Sequence, residues 1–201
     1  MTTNLKDSFE VENFLDEHEL DFVKTLCDKI PNRKNSGDEF NAYTNGFDYN
    51  LLPPSIKNKI ADYIGSQNVT VSMILKEYHP WTIHTDYPKN DVFSPSWALL
   101  IPIDFSNLTH TVIFPQKEKK SFKNFKTNNQ KMDFKYTQHQ LNLLGHIPQD
   151  DLNYVTDPMF YEWKPGKLIA WKRDLLHTSD NFKMKEDDYK IALVAFFSKD
   201  D

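Results

Sequence analysis

Residues 81–88 read WTIHTDYP and place a histidine and an aspartate two positions apart, His84 and Asp86. In an extended chain, residues i and i+2 project to the same side. The imidazole and the carboxylate would then face one point, as two ligands of one metal ion do. A chain with seven histidines and 29 acidic side chains supplies such a pair readily by chance, and an exposed turn explains it equally well. A third residue changes the weight. His177, in LIAWKRDLLHTSDNF, follows shortly after a β-rich stretch. Two imidazoles and one carboxylate can occupy one face of an octahedral metal. Three positions stay open for a chelating cosubstrate and dioxygen, the donor set of iron-dependent oxidation.

Lys190 opens the stretch YKIALVAFF, in which Lys190, Ala192, Val194 and Phe196 share one face of a strand. A cation at a mouth followed by small apolar residues suits an elongated dicarboxylate. Its near end would chelate the metal while its far carboxylate meets Lys190. Taken alone, Lys190 reads as a solvated lysine at a strand start. The other histidines compete weakly for the metal. His79, His110, His139 and His146 lack a carboxylate two positions on. There is no His-Glu-x-x-His, no cysteine pair and no Gly-x-Ser-x-Gly, so zinc peptidase and serine hydrolase chemistries lack their parts.

The elements that must position these residues are legible from periodicity. Residues 9–15 read as a strand. Residues 16–30 read as a helix, with Asp16 and Glu19 as an Asp-x-x-Glu start and Phe22, Val23, Leu26, Cys27 and Ile30 along one face. Residues 31–50 are polar and read as loop. A second helix follows: Pro53 and Pro54 at its start, Ile56, Ile60 and Ile64 on one face, Gly65 at its end. Residues 69–78, 96–105, 110–115, 159–163, 167–171 and 190–197 are short, β-branched or aromatic, and read as strands. Two helices and six or more strands predict a mainly β, α+β fold: an antiparallel sandwich or jelly roll with the N-terminal helices packed on one sheet. Residues 116–158 fit neither pattern. An insertion of that length predicts a lid over the site, within one domain spanning 1–201.

Composition sets further bounds. The chain has 201 residues and 39% hydrophobic side chains, enough for one sizeable core. No apolar run reaches the roughly 20 residues of a membrane span, and the N-terminus lacks a signal pattern. The single cysteine, Cys27, fits a reducing cytoplasm. A net charge of −5 argues against broad nucleic-acid binding. Residues 117–135 nevertheless carry seven lysines against Glu118 and Asp133. That segment is either a solvated loop or a basic flap for an acidic partner.

In four blocks, and in order, the sequence resembles the 2-oxoglutarate- and Fe(II)-dependent oxygenases, specifically the prolyl 4-hydroxylase-like branch. NFLDEHELDFVKTL resembles that branch's opening strand and helix, and HTD (84–86) its His-x-Asp motif. PGKLIAWKRDLLHTSDNF resembles its distal-histidine region, and YKIALVAFF the strand whose first basic residue meets the cosubstrate. The resemblance implies a double-stranded β-helix. It implies that His84, Asp86 and His177 hold Fe(II), that Lys190 binds the far carboxylate of 2-oxoglutarate, and that Tyr78 hydrogen-bonds the cosubstrate. Ascorbate is the optional reductant. The implied reaction converts 2-oxoglutarate to succinate and CO2 while hydroxylating a prolyl residue of a peptide, a free amino acid or a small metabolite. Two departures stand out. YHPWTIH lacks the glycine-rich loop common before the motif, and Ala192 stands where many members carry Ser or Thr. The reading from another class is a jelly-roll binding module that holds a metal without oxidising anything.

Overall fold

The computed structural model describes residues 7–30, 43–86 and 97–198. Tyr87 and Pro88 of the WTIHTDYP stretch, and residues 31–42 of the expected first loop, lie outside them.

Strand β1 (Ser8–Val11) leads into helix α1 (Glu17–Lys29). The Asp16 side chain accepts from the Glu19 amide at 2.9 Å, and the Glu19 carboxylate accepts from the Asp16 amide at 3.2 Å. Two orphan donors of the first turn are thereby satisfied reciprocally. Strand β2 (Tyr43–Gly46) occupies part of the expected loop. Helix α2 (Pro54–Ile64) ends at Gly65, whose φ of 71° is left-handed and suits a residue without Cβ. Ile56, Ile60 and Ile64 are all buried. Burying each contributes about 1.5–3 kcal/mol.

Strands β3 (Val69–Glu77), β4 (Trp97–Phe105) and β5 (His110–Lys117) follow. Then come three short helices, α3 (Phe122–Asn128), α4 (Gln138–Leu143) and α5 (Gln149–Leu152). The chain closes with β6 (Met159–Glu162), β7 (Leu168–Lys172), β8 (Leu175–Ser179) and β9 (Lys190–Phe197). His177 was expected after a strand. It lies inside one, β8.

Two antiparallel sheets result. The larger has the order β1-β7-β4-β9-β3-β2, the smaller β6-β5-β8. His84 forms an isolated antiparallel bridge with His177, which adds the segment around His84 to the free edge of β8. Strand alternation then sorts the side chains into three layers. Leu99, Ile101, Ala170, Leu193, Ala195 and Phe197 face α1 and α2 on the outside of the large sheet. Ala98, Leu100, Ile169, Trp171, Ala192 and Val194 face inward and meet Ile113 and Leu175 of the small sheet. Val112, Phe114 and Leu176, on the outer face of the small sheet, pack against Phe122, Phe125, Leu144, Ile147, Leu152 and Val155. Residues 116–158 therefore hold a hydrophobic layer of their own, with Leu144 and Val155 fully buried. Among the described residues no helix is long and apolar enough to cross a membrane.

Candidate metal centre and cosubstrate cavity

The inner layer positions the chemistry. His84 and His177 exchange both backbone hydrogen bonds, at 3.0 and 2.9 Å. Strand β8 grips the same segment again at Trp81: the Trp81 amide donates to Ser179 Oγ at 2.7 Å, and Thr178 Oγ1 donates to the Trp81 carbonyl at 2.5 Å. The two imidazoles are thus brought to 4.2 Å between ring centroids. One ligand atom each from His84, Asp86 and His177 falls within 4.8 Å of the others. Among the described residues no other group of His, Cys, Asp or Glu meets that criterion.

Each ring is also fixed in orientation. His84 Nδ1 donates to the Thr82 carbonyl at 2.7 Å, and His177 Nδ1 donates to the Leu175 carbonyl at 3.0 Å. Both bonds reach a carbonyl two residues back, which leaves each Nε2 lone pair for a metal. Asp86 is steadied through its backbone. Arg173 donates from Nε and from its terminal nitrogen to the Asp86 carbonyl, at 3.0 and 2.7 Å, while its guanidinium lies 4.6 Å from the Phe196 ring centre.

The electrostatics of the triad are asymmetric. Burial, reinforced by neighbouring His177, drives His84 down to about 4, so its ring stays neutral. Burial also opposes charge on His177, but the Asp86 carboxylate 3.2 Å from its Nε2 outweighs it and lifts the ring above its ordinary value. Burial would raise Asp86, yet His177 holds the carboxyl below its usual range. A hydrogen bond between His177 and Asp86 closes the triad, and a cation held by the three side chains would replace it.

The triad borders a cavity of about 270 Å³. Met73, Leu75, Leu100, Val194 and Phe196 make its apolar walls. Lys190 lines it as well, but not as a cation at the mouth. Lys190 is 3% exposed, its Nζ lies 2.6 Å from Glu77 Oε2, and the Trp163 and Phe182 rings lie 4.7 and 5.0 Å away. The sheet register imposes this pairing, because Glu77 stands directly opposite Lys190 across β3 and β9. Burial raises the Glu77 carboxyl above its usual range, although Lys190 pulls the other way.

Tyr78 is not brought to the cavity. Met73, Leu75 and Glu77 point inward, so the next residue points away. Lys76 Nζ lies 5.4 Å from the Tyr78 ring and 5.0 Å from that of Tyr189. The inward position at the end of β3 belongs to Glu77, which the sequence reading did not single out. The alternation Met73-Leu75-Glu77 carried the signal for Glu77, since a strand apolar on one face ends in an acid on that face. Nothing in the sequence marked Arg173 as a partner of Asp86. The competing histidines have other tasks. His110 Nδ1 lies 2.7 Å from a buried Asp180 oxygen, His146 Nε2 lies 3.0 Å from the Trp81 carbonyl, and His139 is exposed.

The donor set fits Fe(II): two imidazoles whose Nδ1 atoms are committed to backbone carbonyls, with Nε2 of His177 facing Asp86 until a cation replaces its proton, and one carboxylate. The cavity also fits an oxygen-rich chelator. The Trp171 indole N–H is buried beside His177, lines the cavity and has no hydrogen-bond partner among the described residues. A carboxylate or carbonyl oxygen would satisfy it.

No protein-family model matches the sequence, and no curated protein matches it. Solved structures do match its fold. A 2OG-Fe(II) oxygenase family oxidoreductase from Burkholderia pseudomallei superposes with a TM-score of 0.61 at 14% identity, covering 96% of this chain and 85% of that one. The epimerase SnoN, solved in complex with Fe3+, alpha-ketoglutarate and nogalamycin RO, gives 0.57 at 10% identity, covering 96% and 79%. A prolyl-4-hydroxylase from Pseudomonas putida gives 0.51 at 6% identity, covering 97% and 94%. The chain has the fold of 2-oxoglutarate- and Fe(II)-dependent oxygenases, a mainly β double-stranded β-helix with flanking helices.

Proposed function

We propose that this chain is a 2-oxoglutarate- and Fe(II)-dependent oxygenase that hydroxylates an organic substrate. The observation that carries the reading is the convergence of His84, Asp86 and His177 within 4.8 Å, with both Nδ1 atoms already committed to backbone carbonyls, on the rim of a cavity that holds a cation. In this reading the three side chains hold the iron, and Lys190 takes the far carboxylate of 2-oxoglutarate. The bound metal and cosubstrate supply the oxidising chemistry, converting 2-oxoglutarate to succinate and CO2.

The protein's own contribution is placement. The paired backbones of His84 and His177 fix the ligand spacing before metal arrives, so little reorganisation is left for binding. Arg173 holds Asp86 by its carbonyl. The apolar walls from Met73 to Phe196 keep water from the cavity, which strengthens each remaining polar contact.

The substrate would approach on the other side of the His84 segment. A groove of about 790 Å³ there is lined by His84, Thr85, Lys120, Phe122, Lys123 and Tyr154. In this reading residues 116–158 are the substrate-side insertion of a single 1–201 domain. The proposed substrate is a prolyl residue of a peptide, a free amino acid or a small metabolite. Neither a membrane nor nucleic acid enters this account, and the proposed compartment is the cytoplasm.

The test is turnover. Fe(II)-loaded protein with 2-oxoglutarate and oxygen should release succinate, and a panel of peptides, amino acids and small metabolites should raise that rate for the true substrate class. Zinc retention with hydrolysis that needs neither oxygen nor 2-oxoglutarate would contradict the reading. Metal binding without any succinate would mark a binding module instead.

A further inference from the structure

Lys190, the cavity's one lysine among the described residues, is already occupied. Lys190 and Glu77 are 3% and 2% exposed and 2.6 Å apart, and both line the cavity that would receive the cosubstrate. A dicarboxylate that settles on Lys190 must therefore bring its far carboxylate against a buried carboxylate. Two ionised carboxylates sharing one site is the arrangement in which one of them gains a proton. The alternative is for Glu77 to leave for another cation, and among the described residues the cavity lining offers none besides the histidines. The titratable and charged groups acting on the pair are His84, His146, His177 and Asp180. Asp180 is itself an acid, held by Thr109 and His110. Burial holds His84 and His146 neutral, and His177 must be neutral to ligate metal. The Trp163 and Phe182 rings close the rest of the space around Lys190.

We propose that Glu77 governs cosubstrate entry: 2-oxoglutarate binds on Lys190 only as Glu77 takes one proton from solvent, changing from the lysine's ion-pair partner to a hydrogen-bond donor toward the incoming carboxylate. No covalent bond changes. Glu77 begins as carboxylate and ends as carboxylic acid, and the proton is drawn from buffer. Lys190 opposes the penalty that burial places on the Glu77 carboxylate, and that support weakens once a second carboxylate shares the lysine. Glu77 is a specificity-determining residue in this account: it admits a second carboxylate at the cost of a proton and so ties cosubstrate affinity to pH.

The inference rests on the proposed function, and the experiment separates the two. Titrate Mn(II)-loaded protein with 2-oxoglutarate by calorimetry, in buffers of differing ionisation enthalpy, at several values between pH 6.5 and 8.5. Wild type should take up a fraction of a proton approaching one, and its affinity should weaken with rising pH by up to about tenfold per unit. Glu77→Gln keeps the shape and a permanent donor. It should bind without that proton uptake and more tightly than wild type at pH 8.5, by a margin that widens with pH. Difference infrared spectra of wild type should gain a protonated-carboxyl stretch on 2-oxoglutarate binding, absent from the variant. This second readout stands even if the variant folds poorly. Equal proton counts in the two proteins, with no new carboxyl band, would overturn the inference while leaving the oxygenase reading intact. Failure of 2-oxoglutarate to bind either protein would overturn both.

Discussion

His84 and His177 pair through their backbones, exchanging hydrogen bonds of 3.0 and 2.9 Å, although one lies before β4 and the other in β8. Here the ladder of the small sheet continues through both. The distance between the rings is a property of strand pairing, and so is the depth at which they sit. Any change that slips β8 by one residue would send His177 to the outer face, against Phe114 and Leu144.

Arg173 should matter for metal affinity without touching metal. It donates twice to the Asp86 carbonyl, a role that no sequence motif marks. Arg173→Lys keeps the charge but not the two-pronged donor. Metal affinity, read by Mn(II) titration, should fall about 10–100-fold with the circular dichroism spectrum unchanged. Unaltered affinity would show that Asp86 is held by other contacts.

Metal affinity should also depend on pH in a definite direction. Of the two imidazoles, His84 is neutral well above its value of about 4. His177 is the one raised above its ordinary value, by Asp86 acting against burial. In the metal-free protein its proton competes with the ion. Affinity for Mn(II) should therefore rise by about tenfold per pH unit through the neutral range, then level off once the raised His177 value is passed. Asp86→Asn should move that plateau to lower pH as well as weakening binding. A flat profile from pH 6 to 8 would count against this assignment.

The Lys190–Glu77 pair should separate stability from cosubstrate binding. Lys190→Met strands a buried carboxylate and should cost about 3–5 kcal/mol in urea unfolding. Adding Glu77→Gln removes the stranded charge and should recover most of that loss. The double variant should still fail to bind 2-oxoglutarate while retaining metal. Recovery of cosubstrate affinity along with stability would place the carboxylate elsewhere.

The insertion should behave as packed structure. Leu144 is fully buried against Phe114 and Leu176 on the outer face of the small sheet. Leu144→Ala should cost about 2–5 kcal/mol by urea unfolding. A solvated loop would lose almost nothing.

Much of this was legible in the residues. The capping pair Asp16 and Glu19, the triplet Ile56, Ile60 and Ile64, and the β-branched runs of β3, β4 and β9 announce their elements through local chemistry. The triad was legible because His-x-Asp needs only strand parity. What stayed hidden depends on pairing. β8 is five residues long and its polar His177, Thr178 and Ser179 mask a fully buried strand. The helices α3, α4 and α5 were lost because lysine, asparagine and glutamine separate their few apolar anchors. Three of the lysines that made the segment look strongly basic are paired: Lys117 with Asp7, Lys126 with Asp151 and Lys131 with Asp150. The choice between Glu77 and Tyr78 is a matter of one step in parity, fixed by the register of β3 on β9. No property of either residue alone reveals it.

The most direct measurement of the central claim is the visible spectrum of the protein mixed anaerobically with Fe(II) and 2-oxoglutarate. The account predicts a metal-to-ligand charge-transfer band that is absent with either component alone. It predicts that the band is lost in His84→Ala, Asp86→Ala and His177→Ala, while Tyr78→Phe keeps it. No band in wild type, or a band that survives removal of His177, would contradict the assignment of these three residues as the iron site.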